Sequence, residues 1–356
     1  MDLLRLAGAA GVGKSTTAWA IAQRLVAEGV ASGFVDIDQL GMCYPPPAGD
    51  PDRWALKERA LTAVAGEFAR AGVARLVVSG VAWPDDPPPT IPGISVHSVW
   101  LDASEETRRE RLDVRRNEPE QVERSLAAGT AEAARVHPAW ERVDTERRSA
   151  AATAEDVLAR WRVTAMPGES AEPAGPDAGL GGGRVLWITG PRLAGASRIG
   201  WEVATHDWEA GRHVGFADVR QLSFAWNADR PVGLANLARV QATFEQAGAR
   251  RFVAVAPWEI EPEAVRAALP TSEVVFLRLS APDAERRARA LSRRDEGGPL
   301  LAGDDILHAS DAVIARIIHT SGARWKVPPR DEEQIIEVGD LSLADAVAAV
   351  RRSSGW

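Results

Sequence analysis

The sequence predicts an α/β protein of two tandem domains, each a parallel β-sheet flanked by helices. Three observations carry this expectation. Short apolar segments of strand length alternate with segments of helical spacing, the pattern of a buried parallel sheet covered on both faces. A glycine loop separates the first such strand from the first helix. The chain also repeats itself: residues 8–40 align without a gap on residues 190–222, and 11 of the 33 positions are identical. At 356 residues the chain has room for two domains of about 150 residues each.

The elements follow in order. Residues 3–7 form an apolar strand, 15–27 a helix stopped by Gly29, and 33–37 a second strand. Residues 55–71 form a helix stopped by Gly72, followed by strands at 75–79 and 96–102 and a helix over 105–116. Later parts of the repeat agree as well. Leu101, Ala103, Arg108, Arg109 and Arg111 match Leu279, Ala281, Arg286, Arg287 and Arg289. A strand-to-helix tail at 143–161 has its counterpart at 335–351. Residues 164–183 are rich in proline, glycine and alanine, lack periodicity and read as a flexible linker. The domains are therefore 1–163 and 184–356. Two domain-length copies point to gene duplication rather than a solenoid.

Composition narrows the function. Hydrophobic residues make up 45% and charged residues 26%, as in soluble globular proteins. A net charge of −8 argues against nucleic-acid binding. No apolar run reaches membrane-spanning length, and the N-terminus opens on a strand and a glycine loop rather than a signal peptide. The single cysteine, Cys43, excludes an internal disulfide framework and a cysteine metal cluster, and it suits a cytoplasmic location. Cys43 itself reads as an incidental thiol, because no motif sets a base near it. The six histidines show no metal-binding spacing. There are three lysines, Lys14, Lys57 and Lys326, so each position is informative.

Lys14 ends a complete G-x-x-x-x-G-K-S motif: Gly8, Ala9, Ala10, Gly11, Val12, Gly13, Lys14 and Ser15, with Thr16 following. It lies between a strand and a helix, the context in which this motif holds phosphate. Glycines let backbone N–H groups curl around phosphate oxygens, and the helix start adds a positive dipole end. Lys14 supplies a charge for the β/γ-phosphates, and Ser15 can hold Mg²⁺. The cofactor expectation is therefore ATP with Mg²⁺. In the second copy Ala196 stands at the lysine position and Pro191 removes an N–H. Arg192 or Arg198 could replace the charge, but a guanidinium is no equivalent point charge. The second copy reads as catalytically dead while retaining the option of binding a nucleotide, another anion or the first copy.

Asp36 and Asp38 stand at the end of the second strand, where alternate residues share a face and open sheets bind ligands. One carboxylate can orient Mg²⁺ or its waters, and the other can take a proton from an acceptor hydroxyl. A solvated strand end or a helix cap is the plain alternative. The second copy keeps Asp218 but has Arg220 opposite Asp38. Within 105–116, Arg108, Arg111 and Arg115 share one helical face. Arg111 with Arg115 or Arg116 could neutralise a transferring phosphoryl group. A surface helix laced by Glu–Arg pairs fits the same residues. Residues 117–134 could be a mobile lid. Trp19 and Trp201, at equivalent helix positions, read as core or as the interface between copies.

Taken together, residues 8–16, the Val35–Asp38 stretch and the 101–115 helix resemble the small P-loop kinases: shikimate, gluconate and adenylylsulfate kinases and chloramphenicol phosphotransferases. The resemblance covers most of 1–163 and, more weakly, 184–356, so both domains are expected to be P-loop kinase-like. It implies that Asp36 is the magnesium-site acid and that Asp38 is the substrate-side acid and base. It places lid arginines at Arg111 and Arg115 or Arg116, and an adenine loop at about 145–151. Shikimate kinases carry a glycine triplet after the third strand, whereas this chain has only Gly80 in its 79–84 stretch. Shikimate is therefore disfavoured as acceptor. Ser79 and Gly80 could line the acceptor site, with Tyr44, Arg53 and Trp54 as further contacts.

The expected function is an ATP-dependent kinase acting on a hydroxyl of a small molecule, with the chemistry in the first copy. The two copies are expected to pack on each other, and a homodimer is compatible. One rival is a regulatory nucleotide-binding ATPase module without an acceptor. A second is a nucleotide kinase, which has only Arg53 and Arg59 in the acceptor region to hold a monophosphate.

Overall fold

The computed structural model describes residues 1–113, 118–161, 183–297, 301–325 and 328–356, with the side chains of 323–325 excepted. The first half of the chain runs β1 (Asp2–Gly8), α1 (Lys14–Ala27), β2 (Ser32–Asp36), a 3-10 turn (Ile37–Gly41), β3 (Cys43–Tyr44), α2 (Trp54–Arg70) and β4 (Arg75–Ser79). It continues with β5 (Ser95–Asp102), α3 (Glu105–Asp113), α4 (Pro119–Arg135), β6 (Glu141–Asp144) and α5 (Ala150–Arg160). The second half repeats the order with β7 (Arg184–Thr189), α6 (Ala196–Glu209), β8 (Val214–Asp218), a 3-10 turn (Val219–Leu222), β9 (Ala225–Trp226) and α7 (Gly233–Gln246). It ends with β10 (Arg251–Val255), α8 (Pro262–Ala268), β11 (Glu273–Ser280), α9 (Asp283–Glu296), α10 (Asp311–Trp325), β12 (Gln334–Glu337) and α11 (Leu343–Ser354). The linker read at 164–183 lies, except for Gly183, outside the described residues.

The chain forms two compact units. Unit one comprises residues 1–41, 54–177 and 223–232; unit two comprises 42–53, 178–222 and 233–356. Unit one holds a six-stranded sheet in the order β6-β5-β1-β4-β2-β9, and unit two one in the order β12-β11-β7-β10-β8-β3. In each sheet five strands are parallel, joined by helical crossovers except between β4 and β5, where a loop takes the place that α8 fills between β10 and β11. The sixth departs from the expected all-parallel sheet: β9 runs antiparallel to β2, and β3 antiparallel to β8.

The central strands are apolar because they are covered on both faces. Leu3, Leu4, Leu6, Phe34, Val35, Leu76 and Val77 are fully buried in unit one, as are Leu186, Ile188, Val253 and Leu277 in unit two. The strands β1 and β2 end at the same edge of the sheet, and that edge carries the phosphate loop and the two aspartates.

Candidate active site

The phosphate loop has the shape its glycines predict. Gly8, Gly11 and Gly13 all take positive φ, at 143°, 85° and 93°. At Gly11 a side chain would also collide with the backbone of Arg108. Gly13 caps α1 in the left-handed conformation, so the loop runs directly into the positive start of the helix. Val12 is buried beneath the loop, and Thr16 is exposed on the first turn. The Lys14 ammonium folds back to donate to the Ala9 carbonyl oxygen at 2.8 Å.

Ser15 and Asp36, read from the sequence as the magnesium-site residues, stand within hydrogen-bond reach of each other. The Ser15 hydroxyl donates to Asp36 Oδ2 at 3.2 Å, and the Ser79 hydroxyl donates to the same oxygen at 3.1 Å. Burial and the neighbouring Asp38 charge push the Asp36 carboxyl above the ordinary aspartate range. A half-buried carboxylate with no cationic side chain among these partners fits a divalent cation, which Ser15 and Asp36 would hold together. Gly80, at φ 135°, passes so close to Ile37 that a side chain there would clash.

Asp38 is placed differently from the expectation that both carboxylates leave one strand. The strand β2 ends at Asp36, and Asp38 lies in the 3-10 turn that follows. The cause is local: Asp36 Oδ1 accepts the Asp38 backbone N–H at 3.0 Å and winds the chain into the turn. The Asp38 side chain stays 44% exposed and accepts the Lys57 ammonium at 2.9 Å. Lys57, one of the three lysines, carried no role in the sequence pattern. It lies on α2 with its side chain only 8% exposed, its stem runs against Gly41, and its ammonium stands 5.4 Å from the Trp54 ring centre. Trp54 in turn packs edge-on to Trp83 at 5.5 Å.

A second missed pair lies nearby. Arg5 interrupts the apolar run of β1, is 3% exposed and donates through both terminal nitrogens to Glu58, one of them at 2.9 Å. The signal was an arginine in the middle of a strand that is otherwise leucine on every side.

The arginine helix divides by residue. Arg111 donates to the Val12 carbonyl at 3.1 Å and to Thr145 O and Oγ1 at 2.8 and 3.0 Å. It therefore clamps the phosphate loop to the segment after β6, instead of standing free as a lid arginine. Its counterpart Arg289 binds the Ala194 and Val338 carbonyls in the same way, so the clamp belongs to the fold of both copies. Arg108 is buried and donates to the Leu126 carbonyl and Thr130. Arg115 and Arg116 lie outside the described residues. The described part of the predicted lid is the helix α4, whose Val122 and Leu126 pack against Leu112 and Ala10. In the 145–151 segment, the Thr107 hydroxyl, followed by the Ser104 backbone N–H, holds the Glu146 carboxyl down to about 2.

Neither a protein-family model nor a curated protein matches this chain. Among the solved structures similar to about half of it are two kinases. A gluconokinase from Sinorhizobium meliloti 1021 is 16% identical over 49% of this chain and 94% of its own, with a TM-score of 0.32. A sugar kinase from Janibacter sp. HTCC2649 is 20% identical over 45% of this chain and 93% of its own, with a TM-score of 0.32.

The second copy gives an internal comparison. Its Ser197–Asp218 pair is intact at 2.8 Å, and Gly195 again caps the helix in the left-handed conformation. The charged residues of the first copy are missing. Ala196 replaces Lys14, Arg220 replaces Asp38 and Trp187 replaces Arg5. When Phe68 is set on Phe244, Gly233 and Leu234 replace Lys57 and Glu58. Neither candidate arginine stands in for Lys14: Arg192 is paired with Asp305 and Arg198 with Glu202. Arg220 reaches the Gly303 carbonyl at 2.9 Å.

Of the acceptor contacts read from sequence, Asp38, Trp54, Ser79 and Gly80 all belong to unit one. Arg53 and Tyr44 belong to unit two, where the Arg53 guanidinium covers the Tyr44 ring at 3.9 Å.

Proposed function

We propose that the protein is an ATP-dependent phosphotransferase acting on a hydroxyl group of a small molecule, with its chemistry in the first copy. One observation carries this reading. The phosphate loop with Lys14, the Ser15–Asp36 pair and the Lys57–Asp38 pair stand at one sheet edge, and the copy that lacks Lys14 also lacks Asp38 and Lys57. Joint loss of an ATP-side charge and an acceptor-side pair fits one reaction that needs both.

In the proposed mechanism the loop N–H groups hold the ATP phosphates, and Lys14 leaves the Ala9 carbonyl to meet the β/γ-phosphates. Ser15 and Asp36 would hold Mg²⁺, which when bound would neutralise phosphate charge. Lys57 fixes Asp38 through Oδ1. The Asp38 carboxylate orients the acceptor hydroxyl and takes its proton as the oxygen attacks the γ-phosphorus. The bond from the γ-phosphorus to the β–γ bridging oxygen breaks, and ADP leaves. The Trp54–Trp83 pair offers an apolar wall for the acceptor's carbon skeleton.

The test is ADP production from MgATP against a broad panel of hydroxylated metabolites and natural products, with Lys14→Ala as control. Stimulation by one acceptor class that vanishes in Lys14→Ala is expected. MgATP binding with no stimulation by any acceptor would favour the regulatory ATPase module. Stimulation by nucleoside monophosphates instead would favour the nucleotide kinase, in which Arg53 and Arg59 would have to hold the acceptor phosphate.

A further inference from the structure

The antiparallel sixth strand of each sheet comes from the other copy. Residues 42–53 follow the second strand of the first copy but belong to unit two, and residues 223–232 follow the second strand of the second copy but belong to unit one. The two arms are equivalent residue by residue: Met42, Cys43 and Tyr44 align with Phe224, Ala225 and Trp226 in the same register that matches Trp19 to Trp201 and Phe34 to Phe216.

Their contacts match too. In unit one Ser32 stands opposite Trp226 and Gly33 opposite Ala225; in unit two Val214 stands opposite Tyr44 and Gly215 opposite Cys43. The Phe34 amide donates to the Phe224 carbonyl at 2.9 Å, and the Phe216 amide donates to the Met42 carbonyl at 2.8 Å. Aromatic rings reinforce each seam. Phe224 and Trp226 lie 5.0 and 5.6 Å from Trp19, and Phe224 lies 6.0 Å from Phe34. Tyr44 lies 4.7 Å from Trp208, which packs on Trp201 at 5.1 Å. Further along the first-unit arm, the Asp229 amide donates to the Ala71 carbonyl at 2.9 Å.

We propose that the two copies are an exchanged pair, in which each lends an arm to close the open edge of the other's sheet. Donating residues 223–232 is then what the degenerate copy does for the first. An uncovered edge strand is a liability, and a borrowed antiparallel strand satisfies its free N–H and C=O groups. The position of the arm links it to the site. It covers β2, the strand that ends in Asp36, and it packs on Trp19 of α1, the helix that starts at Lys14. Phe224 and Trp226 thereby close the sheet of unit one, although they are carried by the copy that lacks Lys14 and Asp38. The inference is independent of which acceptor is phosphorylated.

The test is crossed hydrogen exchange in the full-length chain, read at the Phe34 and Phe216 amides. Trp226→Ala loosens the arm in unit one, so exchange at Phe34 should rise about tenfold or more, and by more than at Phe216. Tyr44→Ala should do the reverse, with the larger rise at Phe216. If each variant instead speeds its own copy's strand, or if both amides respond equally or not at all, the arms fold back on their own copies and the proposal falls.

Discussion

Asp38 and Lys57 make the sharpest residue-level claim. Lys57 is held by its buried stem, so its ammonium fixes Asp38 rather than the reverse. Asp38→Asn should lower acceptor phosphorylation by about a hundredfold or more while MgATP binding is retained, measured by steady-state kinetics and calorimetry. Lys57→Met should lower kcat in the same direction. The double variant should be little worse than Asp38→Asn alone, because the two residues act as one unit. Independent, multiplying losses would separate them. Asp36 makes a claim about pH. Its folded pKa is raised by burial, so the unfolded chain gives up that proton first as pH rises. Without Mg²⁺, stability from this group is present in acid and is lost as pH climbs from the ordinary aspartate range through the raised value. Asp36→Asn abolishes that loss. Its melting temperature should therefore gain on the wild type across that window, while its affinity for MgATP falls. A constant difference between the two at all pH values would remove the buried-carboxylate account. The glycine motif, Ser15 and Asp36 were readable because their spacing is tied to phosphate geometry. Arg5, Lys57 and Glu58 were not, because they meet across β1, α2 and the turn after β2 with no fixed spacing to betray them.

At the scale of elements, apolar periodicity placed the central strands and the long helices close to where they stand, since burial on both sheet faces leaves a strong pattern. It failed where a side chain overrides the pattern, as when the Asp36 carboxylate draws residues 37–41 into a turn. It failed again at β3 and β9. A two-residue strand has no period, and its partner lies in the other copy. Arg111 illustrates a different limit. Helical spacing put it on one face with Arg108, but only the contacts show that it clamps Val12 to Thr145, and the same clamp at Arg289 separates fold from chemistry. The arm element has its own reporter. Cys43 lies fully buried in β3, and burial pushes its thiol up to about 12. Because the thiolate is the reactive form, the native protein should react with iodoacetamide at pH 8 far more slowly than the urea-unfolded chain. Tyr44→Ala, which frees the arm, should speed the native reaction. Equal rates in native and unfolded protein would show that β3 is not seated in its sheet.

For the whole molecule, the internal repeat and the exchange of arms explain each other. A second copy that had only lost Lys14, Asp38 and Lys57 would gain nothing by keeping its sheet and its aromatic cluster. It keeps Trp201 and Phe216 on the side that receives the first copy's arm, and Phe224 and Trp226 on the arm it lends. Each copy is then a ligand for the fold of the other, and the covalent link at 164–183 mainly keeps their effective concentration high. This can be tested by cutting it. A protease site placed in an extension of residues 164–183 and cleaved to completion should leave residues 1–163 and 184–356 travelling as one species of unchanged size in gel filtration. MgATP binding at the Lys14 loop should be undiminished in that nicked species. Adding Phe224→Ala and Trp226→Ala together should weaken the nicked pair, so that it separates on dilution while the uncut variant does not, because only the uncut chain still holds its arms by covalent proximity. Wild-type halves that part at once after cleavage would mean that the linker, not the exchanged strands, is what unites them.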